Sequence, residues 1–161
     1  MITQDRLKEL LHYDPEIGIF TQRLRRPRVR VGDIAGYSES SGYWRIHVDG
    51  RKYLAHRLAW LYVTGEWPIF VDHEDLDKSN NRFGNLRKAT RSQNGINRSR
   101  FPNNTSGFKG VSFCKRTRNY MARIQVNGSS LFLGCFNKAE EAHAAYVAAA
   151  EKYFGEFARA A

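Results

Sequence analysis

Short amphipathic segments separated by turn signals make up the first half of the chain. Leucines at helical spacing after the capping residue Thr3 predict a short N-terminal helix. Asp49-Gly50 is a typical two-residue hairpin turn, and an apolar helix is predicted over residues 55–64, where Gly65 ends it. The predicted strands cover residues 19–22, 43–48, 51–54, 69–71 and 86–89.

The second half of the chain has a different pattern. Residues 99–106 are rich in Pro, Asn and Ser and are predicted to be a linker. Beyond it, strands are predicted over residues 109–113, 120–126 and 131–136, and an alanine-rich apolar stripe predicts a helix over residues 138–154. We therefore expect an α+β protein with one domain at residues 1–98. Residues 107–161 would form a small three-stranded antiparallel sheet packed on one helix.

The charge of the chain points to a polyanionic partner. The 161 residues carry a net charge of +10, and residues 78–139 contain no Asp or Glu while Lys and Arg recur throughout. Residues 23–30, RLRRPRVR, form another basic run, for which a solvated loop and a phosphate-contacting arm are both open interpretations. An acidic cluster that could concentrate a cation comes just before the long basic stretch: Asp72, Glu74, Asp75 and Asp77.

Asp72 and His73 begin the stretch that holds most of the candidate catalytic and metal-binding residues. A strand is predicted to run into a polar loop there. Downstream amides and possible helix caps complete it: Asn80, Asn81, Asn85, Thr90, Ser92 and Asn94. A carboxylate, an imidazole and amides on a strand, a loop and a helix start could form a small metal-assisted hydrolytic site. Oxygen ligands of this kind suit Mg²⁺ or Mn²⁺. Adjacent residues on a flat strand face opposite ways, so Asp72 and His73 can share a site only if the strand ends or bends there.

This order of residues, from Asp-His through a polar loop and Asn-Leu-Arg to an Asn early in a helix, resembles the HNH (ββα-metal) nucleases. The similarity is to the phage and intron-type enzymes in which asparagine replaces the last histidine. LHYDPEIGIFTQR, GDIAG, GYWRIHVDGRKYLAHRLAWLYVTGEWP and DHEDLDKSNNRFGNLRKATRSQN follow the family order over about residues 7–98. The resemblance implies an N-terminal ββα-metal nuclease domain. It also implies a homing-type, metal-dependent DNA endonuclease of phage or mobile-element kind, cutting one strand or both.

The resemblance implies roles for individual residues. His73 would be the general base, taking a proton from water, and Asn85 would hold its ring in the working tautomer. Asp72 and Asn94 would bind the Mg²⁺ or Mn²⁺ ion, which stabilises charge on the phosphate and the leaving oxygen. Two other amides of the loop are alternatives for these roles, with loop surface as their other assignment: Asn80 and Asn81.

Further candidates keep two assignments each. His56 and Arg57 belong to the family pattern, and His56 is expected to be either structural or catalytic. Arg87 and Arg91 would clamp the scissile phosphate or remain surface arginines. None of these four assignments is decided by spacing along the chain.

The C-terminal segments GFKGVSF, YMARIQV and LFLGCFNKAEEAHAAYVAAAEKYFG resemble a second family, the plant ERF-type (APETALA-two) DNA-binding domain. In that family the three-stranded sheet lies in the major groove. Ser112 departs from the family pattern, which usually has arginine there, so no base preference is implied. By position, the resemblance implies DNA contacts from Lys109, Ser112, Phe113, Lys115, Arg116, Arg118, Tyr120, Arg123 and Phe132.

Double-stranded DNA is therefore the expected partner, and no obligate protein partner is evident. The alternatives are a non-catalytic, sequence-specific DNA-binding regulator on a decayed nuclease fold and an RNA-binding module. The N-terminus lacks an apolar core of signal-peptide length, and LAWLYV is too short to span a membrane. The two cysteines are expected to be buried free thiols. We expect an intracellular protein, in the host cytoplasm if phage-encoded, that is neither secreted nor membrane-bound.

Overall fold

The computed structural model describes residues 1–96 and 104–158. Contacts divide the chain into two compact units, Met1–Ala89 and Thr90–Ala161. Each unit combines helices with small antiparallel sheets, which agrees with the mixed class expected from the sequence. Residues 99–103 of the expected linker lie outside the described residues. Ser106 takes part in the fold of the second unit, because its hydroxyl donates a hydrogen bond of 2.8 Å to the carbonyl of Val111.

The first unit begins with a helix that runs directly into a strand. Helix α1, Gln4–Leu10, is capped by the Thr3 hydroxyl, which accepts a hydrogen bond from the backbone N–H of Arg6. Strand β1, Leu11–Asp14, follows without a loop and pairs antiparallel with β2, Ile19–Gln22. The apolar spacing predicts helix through residue 11 and a turn at residues 13–18. Four residues are too few for an alternating pattern to be distinguished from helical spacing, so β1 was not predicted.

A second sheet and a buried helix complete the frame of this unit. The turn between the second and third strands of the sheet is the predicted Asp49-Gly50, with φ angles of 45° and 74°. Helix α2, Ala55–Thr64, follows the last strand at once and ends at Gly65, whose φ is 77°. The sheet consists of three strands, paired in chain order: β3 (Tyr37–Ser38), β4 (Trp44–Val48) and β5 (Arg51–Leu54).

The core of the first unit surrounds α2. Leu58 and Leu61 of this helix are buried together with Leu7, Tyr13 and Phe20 from the elements before it. The rings of Tyr13 and Phe20 stack with their centroids 4.6 Å apart. Burial of each large apolar side chain contributes roughly 1.5–3 kcal/mol. The core therefore fixes the β1–β2 hairpin against α2.

A two-stranded sheet carries the candidate catalytic residues. Strand β6, Phe70–His73, pairs antiparallel with β7, Leu86–Ala89. The register places Asp72 opposite Arg87. At its C-terminal end β6 is two residues longer than the sequence predicts, and it stops at His73, where the polar loop begins. Both residues are paired within β6, so the strand ends after Asp72 and His73 and not between them.

The second unit opens with a short capped helix, α3, Arg91–Ile96. Thr90 caps it: its hydroxyl accepts from the N–H of Gln93 at 3.2 Å, and the Gln93 side chain accepts from the N–H of Thr90 at 2.8 Å. This reciprocal pair is a capping box. Ile96 is buried in one cluster with Ile124, so α3 packs into the core of the second unit.

A three-stranded sheet covered by a long helix makes up the rest of the second unit. Ala122 packs with Ala142, and Ile124 with Tyr146, across the sheet and the helix. Gly110 makes this approach possible, because its φ is 74° and a Cβ at this position would collide with the Tyr146 ring. The elements, with sheet order β10-β9-β8, are β8 (Val111–Cys114), β9 (Asn119–Val126), β10 (Ser129–Phe136) and α4 (Ala139–Phe154).

Two features of the fold bear on the expected location of the protein: the burial of its cysteines and the length of its apolar helices. Cys135 is exposed and Cys114 is half-buried, so the expectation that both thiols are buried is wrong. Cys135 lies opposite Met121, one residue out of phase with the buried Ala122, which explains its exposure. Within residues 1–96 and 104–158, no helix has both the length and the apolar character that crossing a membrane requires.

Candidate active site

His73 is a buried histidine with an oriented ring. It is 4% exposed, and its Nε2 lies 3.2 Å from the side-chain oxygen of Asn81, which is equally buried. The amide nitrogen of Asn81 donates to the carbonyl of Ser79 at 3.0 Å, so the amide oxygen is the atom that faces the ring. An amide oxygen only accepts hydrogen bonds, so Nε2 of the neutral ring carries the hydrogen. The proton-accepting lone pair of His73 is therefore on Nδ1.

The β1–β2 hairpin holds Asn81 in place. The Tyr13 hydroxyl donates a hydrogen bond of 2.6 Å to the backbone carbonyl of Asn81, and burial raises the pKa of Tyr13, so the hydroxyl stays protonated. Gly18, with a φ of 76°, lies so close to the backbone of Asn81 that a Cβ would collide with it. The N–H of Phe83 donates to the carbonyl of Pro15 at 2.9 Å. These contacts position the amide beside His73.

Asn85, which was expected to hold the His73 ring, is bonded within the loop instead. Its amide nitrogen donates to a carboxylate oxygen of Asp75 and to the carbonyl of Asn80, both at 2.9 Å, and its oxygen accepts from the N–H of Asp75 at 3.1 Å. Burial acts to raise the pKa of Asp75, but hydrogen bonds from the Asn80 and Asn85 amides outweigh it and lower that pKa. Asn85 therefore braces the polar loop, and Asn81 is the amide beside the ring.

A second buried histidine lies next to the first. His56, in the first turn of α2, is 4% exposed, and its ring centroid lies 4.9 Å from that of His73 at an interplanar angle of 75°. Among the described residues its Nδ1 has no hydrogen-bond partner. Burial, followed by the charges of His73 and Arg57, lowers the pKa of His56 to about 3. Burial also lowers the pKa of His73, although the hydrogen bond to Asn81 opposes it. Both rings are therefore neutral near pH 7.

Tyr43 and Lys78 lie beside the two histidines, and sequence reasoning missed both. The Tyr43 ring centroid is 5.3 Å from that of His56 and 6.2 Å from that of His73. The ammonium of Lys78, an exposed residue, lies 4.9 Å from the centroid of the Tyr43 ring. Tyr43 precedes an ordinary alternating strand and Lys78 stands among many basic residues, so neither carried a signal. Together they add a positive charge to the surroundings of His73.

Arg57, the neighbour of His56 in the family pattern, makes contacts that stabilise the fold. Its guanidinium donates to the carbonyl of Pro68 at 2.9 Å and lies 5.6 Å from the centroid of the Trp67 ring. These contacts tie α2 to the segment that leads into β6. Arg57 therefore supports the strand that carries Asp72 and His73.

Asp72 and Arg87 form an ion pair across β6 and β7. The guanidinium Nη2 of Arg87 lies 3.1 Å from Oδ2 of Asp72, and the side chains of Arg87 and Asp72 are 15% and 9% exposed. Arg87 was expected either to clamp a phosphate or to remain a surface arginine, and here its guanidinium contacts the carboxylate. A buried carboxylate needs such a partner, because an uncompensated buried charge is strongly destabilising. The pair fixes the orientation of the Asp72 carboxylate.

The side chains available as ligands suit a metal ion that keeps most of its bound water molecules. In the part of the chain that the structure describes, no three His, Cys, Asp or Glu side chains gather as a metal-binding group. Mg²⁺ needs only one or two carboxylates beside substrate phosphate and water, so Asp72 next to His73 fits such an ion. Asn94, the other expected ligand, lies in α3, where its N–H donates to the carbonyl of Thr90 at 2.9 Å. Arg91 is exposed at the start of α3.

Several residues expected to contact DNA lie on the face of the second unit's sheet that α4 does not cover. Arg123 and Phe132 are opposite each other there, with the guanidinium 5.9 Å from the ring centroid, and Phe132 is 57% exposed. Ser112 is exposed next to the buried Val111 and so belongs to the same face. The turn between β8 and β9 exposes the remaining basic candidates: Lys115, Arg116 and Arg118.

Three residues that were expected to contact DNA do not lie on the uncovered face of the sheet. Tyr120 lies on the helix-facing side, packed against the cluster around Ala122, and the ring of Phe113 lies 5.1 Å from the ring of Tyr120. Both are in phase with buried residues of their strands, so the two-residue period places them away from the uncovered face. The ammonium of Lys109 donates to the carbonyl of Ile96 and ties α3 to the start of the sheet.

Comparison with known proteins associates a family with this segment. Residues 53–96 match the sequence model of a family described as HNH endonuclease, and this matched segment contains His56, Asp72, His73 and Asn81. The chain is also 37% identical over 125 residues to a protein of Acanthamoeba polyphaga mimivirus named as an uncharacterised HNH endonuclease. The aligned part covers 76% of this chain and 64% of the relative, so the chain spans just under two thirds of that protein's length.

Replacing His56 with Gln should make the fold less sensitive to acid. The pKa of His56 is lower in the folded state than the 6.5 of a free histidine, so the unfolded chain binds more protons between pH 6.5 and about 3. The stability that the neutral ring allows is intact above pH 6.5 and is lost as the pH falls through this window. At pH 5 the loss is about 2 kcal/mol. Urea unfolding at pH 7 and pH 5 measures it.

His12→Gln is the matched control, because His12 is exposed on β1. Its free energy of unfolding should change with pH as that of the wild type does. Equal losses between pH 7 and pH 5 in the wild type and in His56→Gln would contradict the burial of a neutral His56 as the cause.

Proposed function

We propose that the protein is a metal-dependent DNA endonuclease that hydrolyses phosphodiester bonds with His73 as general base. The observation that carries the proposal is the buried His73–Asn81 pair within a segment that matches HNH endonucleases. The mimivirus relative, named as an HNH endonuclease, supports it. Duplex DNA is the proposed substrate because the net charge is +10 and residues 78–139 contain no acid.

In the proposed reaction a water molecule attacks the phosphorus as the P–O bond to the leaving oxygen breaks, and His73 accepts the proton of that water at Nδ1. The ring can act this way because burial keeps it neutral and the bond to Asn81 keeps the hydrogen on Nε2. The edge-on ring of His56 limits rotation of the base. The ammonium of Lys78, beside Tyr43, offsets part of the phosphate charge.

Asp72 is the proposed anionic ligand of Mg²⁺ or Mn²⁺, and the family resemblance adds the side-chain oxygen of Asn94. The ion, when bound, stabilises negative charge on the phosphate and on the leaving oxygen. Arg87 orients the Asp72 carboxylate through their ion pair. β6, β7 and α3 follow one another in the order of the ββα-metal motif, and we propose that arrangement for them.

The second unit, Thr90–Ala161, is proposed to bind DNA in the manner of the ERF-type domains. Arg123 and Phe132 on the uncovered face of the sheet support this proposal. The exposed basic turn between β8 and β9 adjoins that face. Base preference and affinity would come mainly from this unit, because a hydrolytic site with a single metal ion acts on the DNA backbone and does not distinguish the bases.

The proposed biological setting is a homing-type enzyme of viral or mobile-element origin that acts inside the cell. The resemblance to phage and intron nucleases and the viral source of the relative support it. A monomer with one site would nick a single strand, whereas a double-strand break would need two chains or two successive cuts.

A non-catalytic DNA-binding regulator is the second candidate function. The observation that favours it is the ion pair between Asp72 and Arg87, because a guanidinium competes with a cation for the same carboxylate. The two functions differ in whether the protein breaks DNA when a divalent ion is supplied.

His73→Ala should lose Mg²⁺-dependent nicking of supercoiled plasmid by at least about 100-fold, because removing a general base typically costs 10²–10⁴ in rate. The conversion of supercoiled to open-circular plasmid measures the rate, and EDTA should stop the wild-type reaction.

His47→Ala is the control for the nicking assay, since His47 is an exposed histidine on β4. Its rate should match that of the wild type, and cooperative thermal unfolding should show that both variants are folded. Full-rate nicking by His73→Ala would reject the assigned base. A wild-type protein inert with both Mg²⁺ and Mn²⁺ would favour the regulator.

Arg123→Ala should weaken binding to duplex DNA by about tenfold at 0.1 M salt and reduce the slope of log K against log salt by about 0.9, as expected for one lost phosphate contact. Fluorescence anisotropy titrations at several salt concentrations measure both. Gln125→Ala removes an uncharged side chain from the same strand face and should leave the slope unchanged. An unchanged slope in Arg123→Ala would take this residue out of the proposed interface.

A further inference from the structure

A basic hairpin, defined here as residues 23–33, lies between β2 and β3 in the first unit. At its base, the N–H of Gln22 donates to the carbonyl of Asp33 and the N–H of Gly32 donates to the carbonyl of Gln22, both at 2.8 Å. Near its tip, Arg26 and Val29 exchange backbone hydrogen bonds of 3.1 and 3.0 Å. The backbone is therefore paired at both ends, and the basic run is a hairpin with a defined backbone.

The tip of the basic hairpin has an arginine where glycine is usual. Pro27 and Arg28 are the central residues of the turn that the Arg26–Val29 pair closes, and Arg28 has a φ of 65°. A turn with Pro first and a positive φ second is of type II, in which the second position favours Gly or Asn because a longer side chain crowds the backbone. Arg28 is exposed, so packing does not explain its presence. Strain of this kind at an exposed position points to a function of the side chain.

Two acids near the basic hairpin have other hydrogen-bond partners. Asp33 uses its carboxylate to accept a hydrogen bond of 2.7 Å from the N–H of Arg30. Asp49 is bonded to Arg6, and the hydrogen bond from Arg6, with a lesser effect from the charge of Arg26, lowers the pKa of Asp49. No ion pair within the described ranges includes any of its exposed arginines: Arg23, Arg25, Arg26, Arg28 and Arg30.

We propose that the basic hairpin binds the phosphate backbone of duplex DNA and gives the first unit a DNA contact of its own. The inference rests on the DNA substrate of the proposed function. Clustered guanidinium groups repel one another and are strongly attracted to phosphate, which they bind with paired hydrogen bonds. Contacts to the backbone add affinity and fix the register of the protein on the duplex without reading bases.

The test is the salt dependence of binding to a mixed-sequence DNA duplex, measured by anisotropy without divalent cations. The double variant Arg25→Gln/Arg28→Gln should reduce the slope of log K against log salt by about 1.8 and the affinity at 0.1 M salt by roughly 60-fold, if each arginine neutralises one phosphate. Lys138→Gln/Lys152→Gln removes the same charge from exposed positions at α4 and should keep the wild-type slope. Equal losses in both double variants would reduce the effect to net charge and overturn the proposal.

Arg28→Gly separates a role in DNA binding from a role in the fold. Glycine accepts a positive φ without strain, so this variant should keep or raise the thermal midpoint while the slope falls by about 0.9. A lower midpoint with unchanged DNA binding would show that Arg28 serves the fold and would overturn the proposal. Tighter binding to an RNA duplex of the same sequence than to DNA would also overturn it.

Failure of this inference can be told apart from failure of the proposed activity, because binding is measured without metal. If the wild type never nicks plasmid but the salt slope falls in the Arg25→Gln/Arg28→Gln variant, the hairpin contact stands and the proposed nuclease activity is rejected. If the wild type nicks plasmid but the variant binds DNA with the wild-type salt slope, the nuclease activity stands and the hairpin contact is rejected.

Discussion

A buried imidazole and a buried amide have to satisfy each other's polar groups, and the candidate site depends on that requirement at His73 and Asn81. Leaving either group without a partner in the interior would cost about 1–3 kcal/mol. The contact therefore holds the polar loop against the end of β6. It also selects the tautomer of the ring, because an amide oxygen can only accept. One hydrogen bond thus links the stability of the loop to the chemistry that the ring is able to perform.

The rest of the first unit acts on this contact from two sides. The β1–β2 hairpin reaches the loop through the Tyr13 hydroxyl and the close approach of Gly18. Helix α2 carries His56 to the ring of His73 and, through Arg57, holds the segment that enters β6. The hairpin lies outside residues 53–96, which match the nuclease family. The site therefore needs a longer part of the chain than the matched segment, and residues far away in sequence set its geometry.

Features encoded locally could be predicted from the sequence. The bounds of α2, the Asp49-Gly50 turn and the Thr3 cap each depend on a few neighbouring residues, and the structure confirms them. The sheet faces were partly predictable: a strict two-residue period starting from Val111 would have placed Phe113 on the helix-facing side of the sheet. Strand β3 was beyond prediction, because two residues have no period.

The partner of the His73 ring could not be derived from the sequence. Asn80, Asn81 and Asn85 lie in one polar loop and have the same chemistry, so neither composition nor spacing ranks them. Tyr13 and Gly18 determine the choice through contacts with a loop more than sixty residues away along the chain. The family resemblance suggested Asn85, whose amide is instead bonded to Asp75.

The tautomer of His73 reports directly whether the Asn81 amide orients the ring, and it can be measured without metal, DNA or activity. Two-bond ¹⁵N–¹H correlation spectra of protein labelled at histidine, recorded near pH 7, distinguish a hydrogen on Nε2 from one on Nδ1. We predict a single Nε2–H form in the wild type and in Asn85→Ala, and a mixture in Asn81→Ala. A hydrogen on Nδ1 in the wild type, or an unchanged single form in a folded Asn81→Ala protein, would contradict it.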